Sequence, residues 1–165
     1  VAEPEIIPIT EAHAEGFNKA VDFVARERKY LSVLEGFSFE DSLAFVRKNI
    51  NESNPHFVVV DDEQVVGWCD ITPSDRGNSR HAGTLGIGLL PPYRGRGLGK
   101  PLMQAAIEAG WQRFERIELT VNGSNRNAIS LYLSLGFAIE GCKRRAVLID
   151  GQYIDLYVMG ILRGN

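Results

Sequence analysis

The 165-residue chain has only two cysteines, Cys69 and Cys142, and only three histidines, His13, His56 and His81. Two thiols are too few for a disulfide scaffold, and the scattered histidines show no metal-ligand spacing, so no metal site is expected. Both cysteines read as reduced, partly buried thiols. No apolar stretch approaches the roughly 20 residues a helix needs to cross a bilayer, so no membrane partner is expected. The opening Val1-Ala2-Glu3-Pro4-Glu5 lacks the basic start and apolar run of a signal peptide, and the expected location is cytoplasmic. Basic charge is not in excess either. Lys and Arg number 18 against 21 Asp and Glu, a net charge of −3, which offers no overall footprint for nucleic acid. With no internal repeat, low-complexity tract or compositional break, residues 1–165 read as a single domain.

What is present has the balance of a soluble globular protein, 44% hydrophobic and 24% charged. Ile6 to Ile9 is a short apolar run that suits a first strand. From His13 to Tyr30, Phe17, Val21 and Val24 recur at helical spacing. Ser38-Phe39-Glu40-Asp41 offers a cap and an acidic first turn, with Leu43, Val46 and Ile50 as the buried stripe of a second helix. The period then changes. Phe57–Val60 and Val65–Ile71 flank a short acidic turn and read as an antiparallel hairpin. His81 to Leu90 reads as a strand. A helix is expected from about Gly97 to Arg113, with Leu98, Leu102, Ala105 and Ala109 on one face; Pro101 is tolerated in its first turn. Arg116 to Val121 reads as a strand and Asn125 to Leu135 as a helix stopped by Gly136. Two last strands, Phe137 to Ile149 and Tyr153 to Met159, meet at Asp150-Gly151, a strong hairpin signal. The order is an α+β pattern on a mixed sheet rather than a regular βα alternation.

The most informative stretch is Arg94-Gly95-Arg96-Gly97-Leu98-Gly99-Lys100. Glycines let a backbone approach a ligand closely, and the helix that follows turns its free N–H groups and positive dipole end toward the loop. Diphosphate suits such a site, and Arg94, Arg96 and Lys100 add charge. A P-loop would need Gly in place of Arg94 and Ser or Thr in place of Pro101. A dinucleotide fingerprint would need Gly in place of Lys100, in the first strand–helix unit rather than past mid-chain. An ATP- or NAD-dependent enzyme is therefore a weak rival.

Arg94-x-x-Gly97-x-Gly99, directly after a strand ending in Pro91-Pro92-Tyr93, resembles the acetyl-coenzyme A signature of the GNAT superfamily of N-acetyltransferases. Beginning 25 residues after Lys100, Asn125-x-x-Ala128, Leu131-Tyr132 and Gly136-Phe137 resemble the superfamily's second motif at its usual spacing. The resemblance covers about residues 56 to 160. It implies a mixed, mostly antiparallel sheet of about seven strands flanked by about four helices, with acetyl-CoA as co-substrate in the cleft between splayed central strands. His81 and Asp150-Gly151-Gln152-Tyr153-Ile154-Asp155 look like the branch acting on amino acids and polyamines. Protein N-terminal acetylation and a non-catalytic acetyl-CoA sensor are the alternatives.

The reaction that the resemblance implies is direct attack of a primary amine on the thioester, which needs a base, an oxyanion donor and an acid for the thiolate. Tyr132 is the expected acid, with an ordinary pKa of about 10. Leu89 and Leu90 are expected to offer backbone N–H groups to the pantetheine arm and the thioester carbonyl. Gly95, Leu98 and the rest of the loop are expected to hold the diphosphate, and Asn125 to bond the pantetheine or cap the start of its helix. Many relatives carry a glutamate in the central strand, but here that stretch is Gly83-Thr84-Leu85-Gly86. His81 is one candidate base; Asp70, Glu35 and a water chain are alternatives. The acceptor is expected between Glu27, Tyr30 and Glu35 on one side and Tyr153 and Asp155 on the other, with Trp68 shaping an apolar wall. A homodimer rests on analogy with the family.

Overall fold

The change of period along the chain becomes a seven-stranded sheet covered on both faces in the computed structural model, which describes residues 2–164. Strand β1 (Glu5–Pro8) precedes helices α1 (Ala14–Arg26) and α2 (Phe39–Asn51). Strands β2 (His56–Asp61), β3 (Gln64–Pro73) and β4 (Ala82–Leu89) follow, then α3 (Gly99–Gly110), β5 (Arg116–Asn122), α4 (Arg126–Ser134), β6 (Ala138–Ile149) and β7 (Gln152–Leu162). This is the order expected from the sequence. The sheet order is β1-β2-β3-β4-β5-β7-β6, and every neighbouring pair is antiparallel except β4 with β5.

The helices divide between the two faces. On one, Phe17, Val21 and Val24 of α1 are buried as their spacing predicts, and pack with Val46, Val58, Val65 and Trp68. On the other, Leu102 and Met103 of α3 and Tyr132 of α4 close over Cys69, Ile71, Ile117 and Met159.

Two stripes differ from expectation. On α2, capped by the Ser38 hydroxyl accepting from Asp41 N at 3.1 Å, Val46 is buried but Ile50 is 43% exposed. Ser42 and Asn49 are buried instead, because polar partners meet them. Asn18 Nδ2 donates to the Ser42 hydroxyl at 2.9 Å. Asn49 Nδ2 lies 3.1 Å from His56 Nδ1, and Asn54 Nδ2 donates to Asn49 Oδ1 at 3.1 Å. Arg113 donates to Asn54 Oδ1. This chain of donors fixes the amide of Asn49, so His56 carries its proton on Nε2, a buried atom with no partner among the described residues. Burial pushes the imidazole down to about 3.

On α3 the inner face is turned by one residue. Met103, Ala106, Ile107 and Gly110 join Leu102 in the core, while Leu98, Ala105 and Ala109 are half-buried. The helix starts at Gly99, two residues later than expected. The thiols also separate: Cys69 is fully buried and Cys142 is exposed, so neither is partly buried.

Candidate active site

β4 and β5 pair only at Ala82↔Arg116, Gly83↔Ile117 and Thr84↔Glu118. β3 stays beside β4 as far as Leu89, and β7 stays beside β5 as far as Asn122. Beyond Thr84 and Glu118 the two central strands therefore part, leaving an opening in the middle of the sheet. Strand register decides what lines it. Leu90 N donates to Val66 O at 2.9 Å, so residues 86, 88 and 90 direct their backbone groups at β3, and Ile87 and Leu89 direct theirs into the opening. Of the two leucine amides expected to serve a ligand, Leu90 is thus already committed; Leu89 remains.

The glycine loop begins where β4 ends. A short 3-10 turn, Pro91–Tyr93, is anchored by Tyr93 Oη donating to Asp61 Oδ2 at 2.7 Å. Gly95 and Gly97 then adopt φ of +70° and +78°, and nothing lies within 4 Å of where a Cβ would stand on either. Glycine alone takes this conformation freely, and the missing side chains leave a concave floor. Helix α3 has Leu98 at its N-cap and no side-chain cap. Among the described residues, none of the six N–H groups from Gly95 to Lys100 donates to the chain. A run of free amides at a helix N-terminus forms an anion-binding cradle. Arg96, whose guanidinium lies 5.1 Å from the Tyr93 ring centroid, flanks it, as does exposed Lys100.

Arg94 is turned elsewhere. Its Nε donates to Leu89 O at 2.9 Å, its Nη1 to Glu27 Oε1 at 2.9 Å, and Tyr30 stacks on it at 4.5 Å. Its side chain therefore braces the end of β4 against α1 instead of projecting over the amides, and Glu27 is paired rather than free for a cationic acceptor.

Glu27, Tyr30, Tyr153 and Asp155, from the expected acceptor group, line one open cleft of about 950 Å³ together with Asn125, between the α1–α2 segment, the β5–α4 turn and the β6–β7 hairpin. Arg28 pairs with Asp150 at 2.9 Å, and Asn122 donates to Lys29 O, so two links tie the walls. Asn125 caps α4, its Oδ1 accepting from Ala128 N at 3.2 Å. Asp155 Oδ1 accepts from Arg145 N at 2.7 Å.

Three candidates lie outside this group. Trp68 is 4% exposed and packs under Phe17 with ring centroids 6.0 Å apart, so it is core rather than a cleft wall. Glu35 is exposed and is not among the cleft's lining residues. His81 precedes β4 at the end remote from the loop, roughly 25 Å of extended chain from Leu89, and its carbonyl accepts from Glu115 N at 2.9 Å.

Tyr132 projects from α4 beside Phe137, with ring centroids 6.1 Å apart, and near Cys69. It is 7% exposed. Its hydroxyl forms no hydrogen bond with the described residues and is not among their fully sealed, unpartnered side-chain atoms. Burial raises its pKa and holds it protonated. Burial also raises the Cys69 thiol well above its ordinary range, keeping it from acting as a nucleophile.

A parted central pair of strands, a cradle of free amides where β4 ends and a buried phenol on α4 make up the candidate site. The chain belongs to the acetyltransferase (GNAT) family, whose model matches residues 21–137. It is 38% identical over 100 residues to the L-amino acid N-acetyltransferase AaaT of Escherichia coli K12, covering 59% of this chain and 62% of that protein. The chain spans about three fifths of the length of the curated relatives it matches. A GNAT-family acetyltransferase structure from Streptococcus pneumoniae superposes with a TM-score of 0.90 at 29% identity, covering 97% of this chain and 99% of that one. The structure of a Salmonella typhimurium protein with its cofactor acetyl-CoA superposes with a TM-score of 0.93 at 16% identity, covering 99% and 96%.

Proposed function

We propose that the protein is an acetyl-CoA-dependent N-acetyltransferase that moves an acetyl group by direct attack of a primary amine, of the amino acid or polyamine kind, on the thioester. The observation that carries this reading is the unbroken run of free N–H groups from Gly95 to Lys100 at the mouth of the β4–β5 opening. The residues fit the co-substrate. The amides, Arg96 and Lys100 suit its diphosphate, and the N–H groups that Ile87 and Leu89 turn into the opening suit an extended arm beside β4. Acetyl-CoA supplies an activated acyl group; the chain supplies position and proton transfer.

In this reading Leu89 N–H polarises the thioester carbonyl and Tyr132 gives its proton to the leaving sulfur. A covalent acetyl-cysteine is disfavoured, since Cys69 is sealed and held as the thiol. The relation to an L-amino acid N-acetyltransferase supports a small amine as acceptor.

Thermal unfolding with acetyl-CoA, followed by thiol release across L-amino acids, spermidine and short peptides, tests the reading. Ligand at a hundred times its Kd is expected to stabilise by about 2.7 kcal/mol. Gly97→Ala, which forces a Cβ onto a left-handed residue, is expected to raise the Kd about tenfold through strain of about 1–2 kcal/mol. Protection without thiol release from any amine points to an acetyl-CoA sensor. No protection removes the reading altogether.

A further inference from the structure

The expected strand glutamate is absent, and the register of β3 shows what stands in its place. Asp70 is opposite His56 of β2 and opposite Gly86 of β4. Antiparallel partners share a face, so the three lie side by side on the α1/α2 face of the sheet. The His56 side is closed: that imidazole is 4% exposed and locked to Asn49. The Gly86 side is open, with Gly86 half-buried and Thr84 exposed. A Cβ built on Gly86 would meet only the Asp70 carboxylate, its Oδ1 at 3.7 Å and Oδ2 at 3.8 Å.

Asp70 therefore leans over Gly86 toward the opening, filling space that a side chain on β4 would otherwise take. Trp68 does the same at the next step, its ring lying where a Cβ of Gly88 would be. Across β4, Glu118 of β5 shares this face, but Arg116 Nε donates to its Oε2 at 2.9 Å. The inner face of α1 over this region is apolar, through Phe17, Ala20, Val21 and Val24. Asp70 forms no hydrogen bond or ion pair with the described residues. Burial brings its carboxyl up to about 7, close to the pH at which a base works best.

We propose that Asp70, reaching across Gly86, is the group that accepts the proton of the acceptor amine, directly or through one water. This rests on the acetyltransferase reading above. The ammonium loses one proton to the Asp70 carboxylate, and its lone pair forms the C–N bond as the C–S bond breaks. The nitrogen's second proton replaces the one that Tyr132 gives to sulfur, and Asp70 returns its proton to solvent. One proton is released per acetyl transferred, and no redox partner is required.

The test compares wild type, Asp70→Asn and Asp70→Glu in acetyl-CoA protection and in kcat against pH, with spermidine and a panel of L-amino acids as acceptors. Asp70→Asn is expected to keep its acetyl-CoA protection while kcat at pH 7 falls about a hundredfold. Its acid limb near pH 7 should vanish, leaving a rate that climbs with alkali as the free amine grows. Asp70→Glu should regain a limb. An Asp70→Asn protein with wild-type kcat and an unchanged limb overturns the assignment while leaving the acetyltransferase reading intact. So does a variant that loses acetyl-CoA protection and rate together at every pH. A wild type that binds acetyl-CoA but acetylates none of these amines removes the acetyltransferase reading, and this assignment with it.

Discussion

Tyr132→Phe is expected to lower kcat about 10²–10³-fold, because it removes the acid that protonates the departing thiolate while leaving the ring in place. The ring packs on Phe137 and joins the core between α3, α4 and the sheet, and none of those contacts uses the hydroxyl. Since the hydroxyl has no partner among the described residues, its loss strands no buried donor or acceptor there. Folding stability is therefore expected to change by less than about 0.5 kcal/mol, and acetyl-CoA affinity by no more than a few-fold. Burial holds the phenol protonated above its ordinary range, so the wild-type rate should not decline on the alkaline side as pH approaches 10. Steady-state thiol release from pH 6 to 10, alongside urea unfolding, checks all three points. A variant within threefold of wild type in kcat would assign Tyr132 to packing alone.

Asp70→Asn is expected to make the protein more stable at pH 8 than the wild type, by about 2–4 kcal/mol after allowance for solvent screening. The sign follows from the direction of the shift. Asp70 is raised from an ordinary 3.8 to about 7, so between those values the folded chain holds a proton that the unfolded chain has released. Stability from this group is complete below pH 4 and is lost as pH rises through 7. Asparagine cannot ionise and escapes that loss.

His56 has the opposite sign. Lowered from 6.5 to about 3, it stays neutral in the fold while the unfolded chain binds a proton, so its contribution is complete above pH 6.5 and is lost as pH falls toward 3. The two slopes oppose each other between about pH 4 and 6.5 in the wild type. In Asp70→Asn the His56 slope stands alone, and stability should climb with pH throughout that interval. Urea titrations at pH 4 and pH 8 measure this directly. The difference between variant and wild type should be near zero at pH 4 and large at pH 8. An equal difference at both would mean that the Asp70 carboxyl has its ordinary pKa. More stable and slower is the combination expected of a group held in its place for catalysis.

The order of elements was legible because hydrophobic period and turn chemistry are local. Asp150 and Gly151 turn the last hairpin with φ of +50° and +77°, as their types predict. The glycine loop was legible for the same reason, since Gly95 and Gly97 take left-handed backbone that few other residues adopt. What stayed hidden depends on partners distant in sequence. Ile50 falls on solvent and Asn49 inside because His56 and Asn54 hold the Asn49 amide, and Arg113 holds Asn54 in turn. Arg94 turns away from the loop because Glu27, 67 positions earlier, is there to receive it. Leu90 loses its free amide to Val66 through strand register. Asp70 gains its place through register too, because only the pairing of Asp70 with Gly86 shows a carboxylate leaning over a bare backbone.

The crystal structure of the protein with acetyl-CoA tests the central claim most directly. The expected result is a diphosphate received by the backbone N–H groups from Gly95 to Lys100, and a pantetheine arm running along the β4 edge at Ile87 and Leu89. The thioester should lie between Tyr132 Oη and the Asp70 carboxylate. Acetyl-CoA seated anywhere other than the β4–β5 opening, or a diphosphate that ignores those amides, would contradict it.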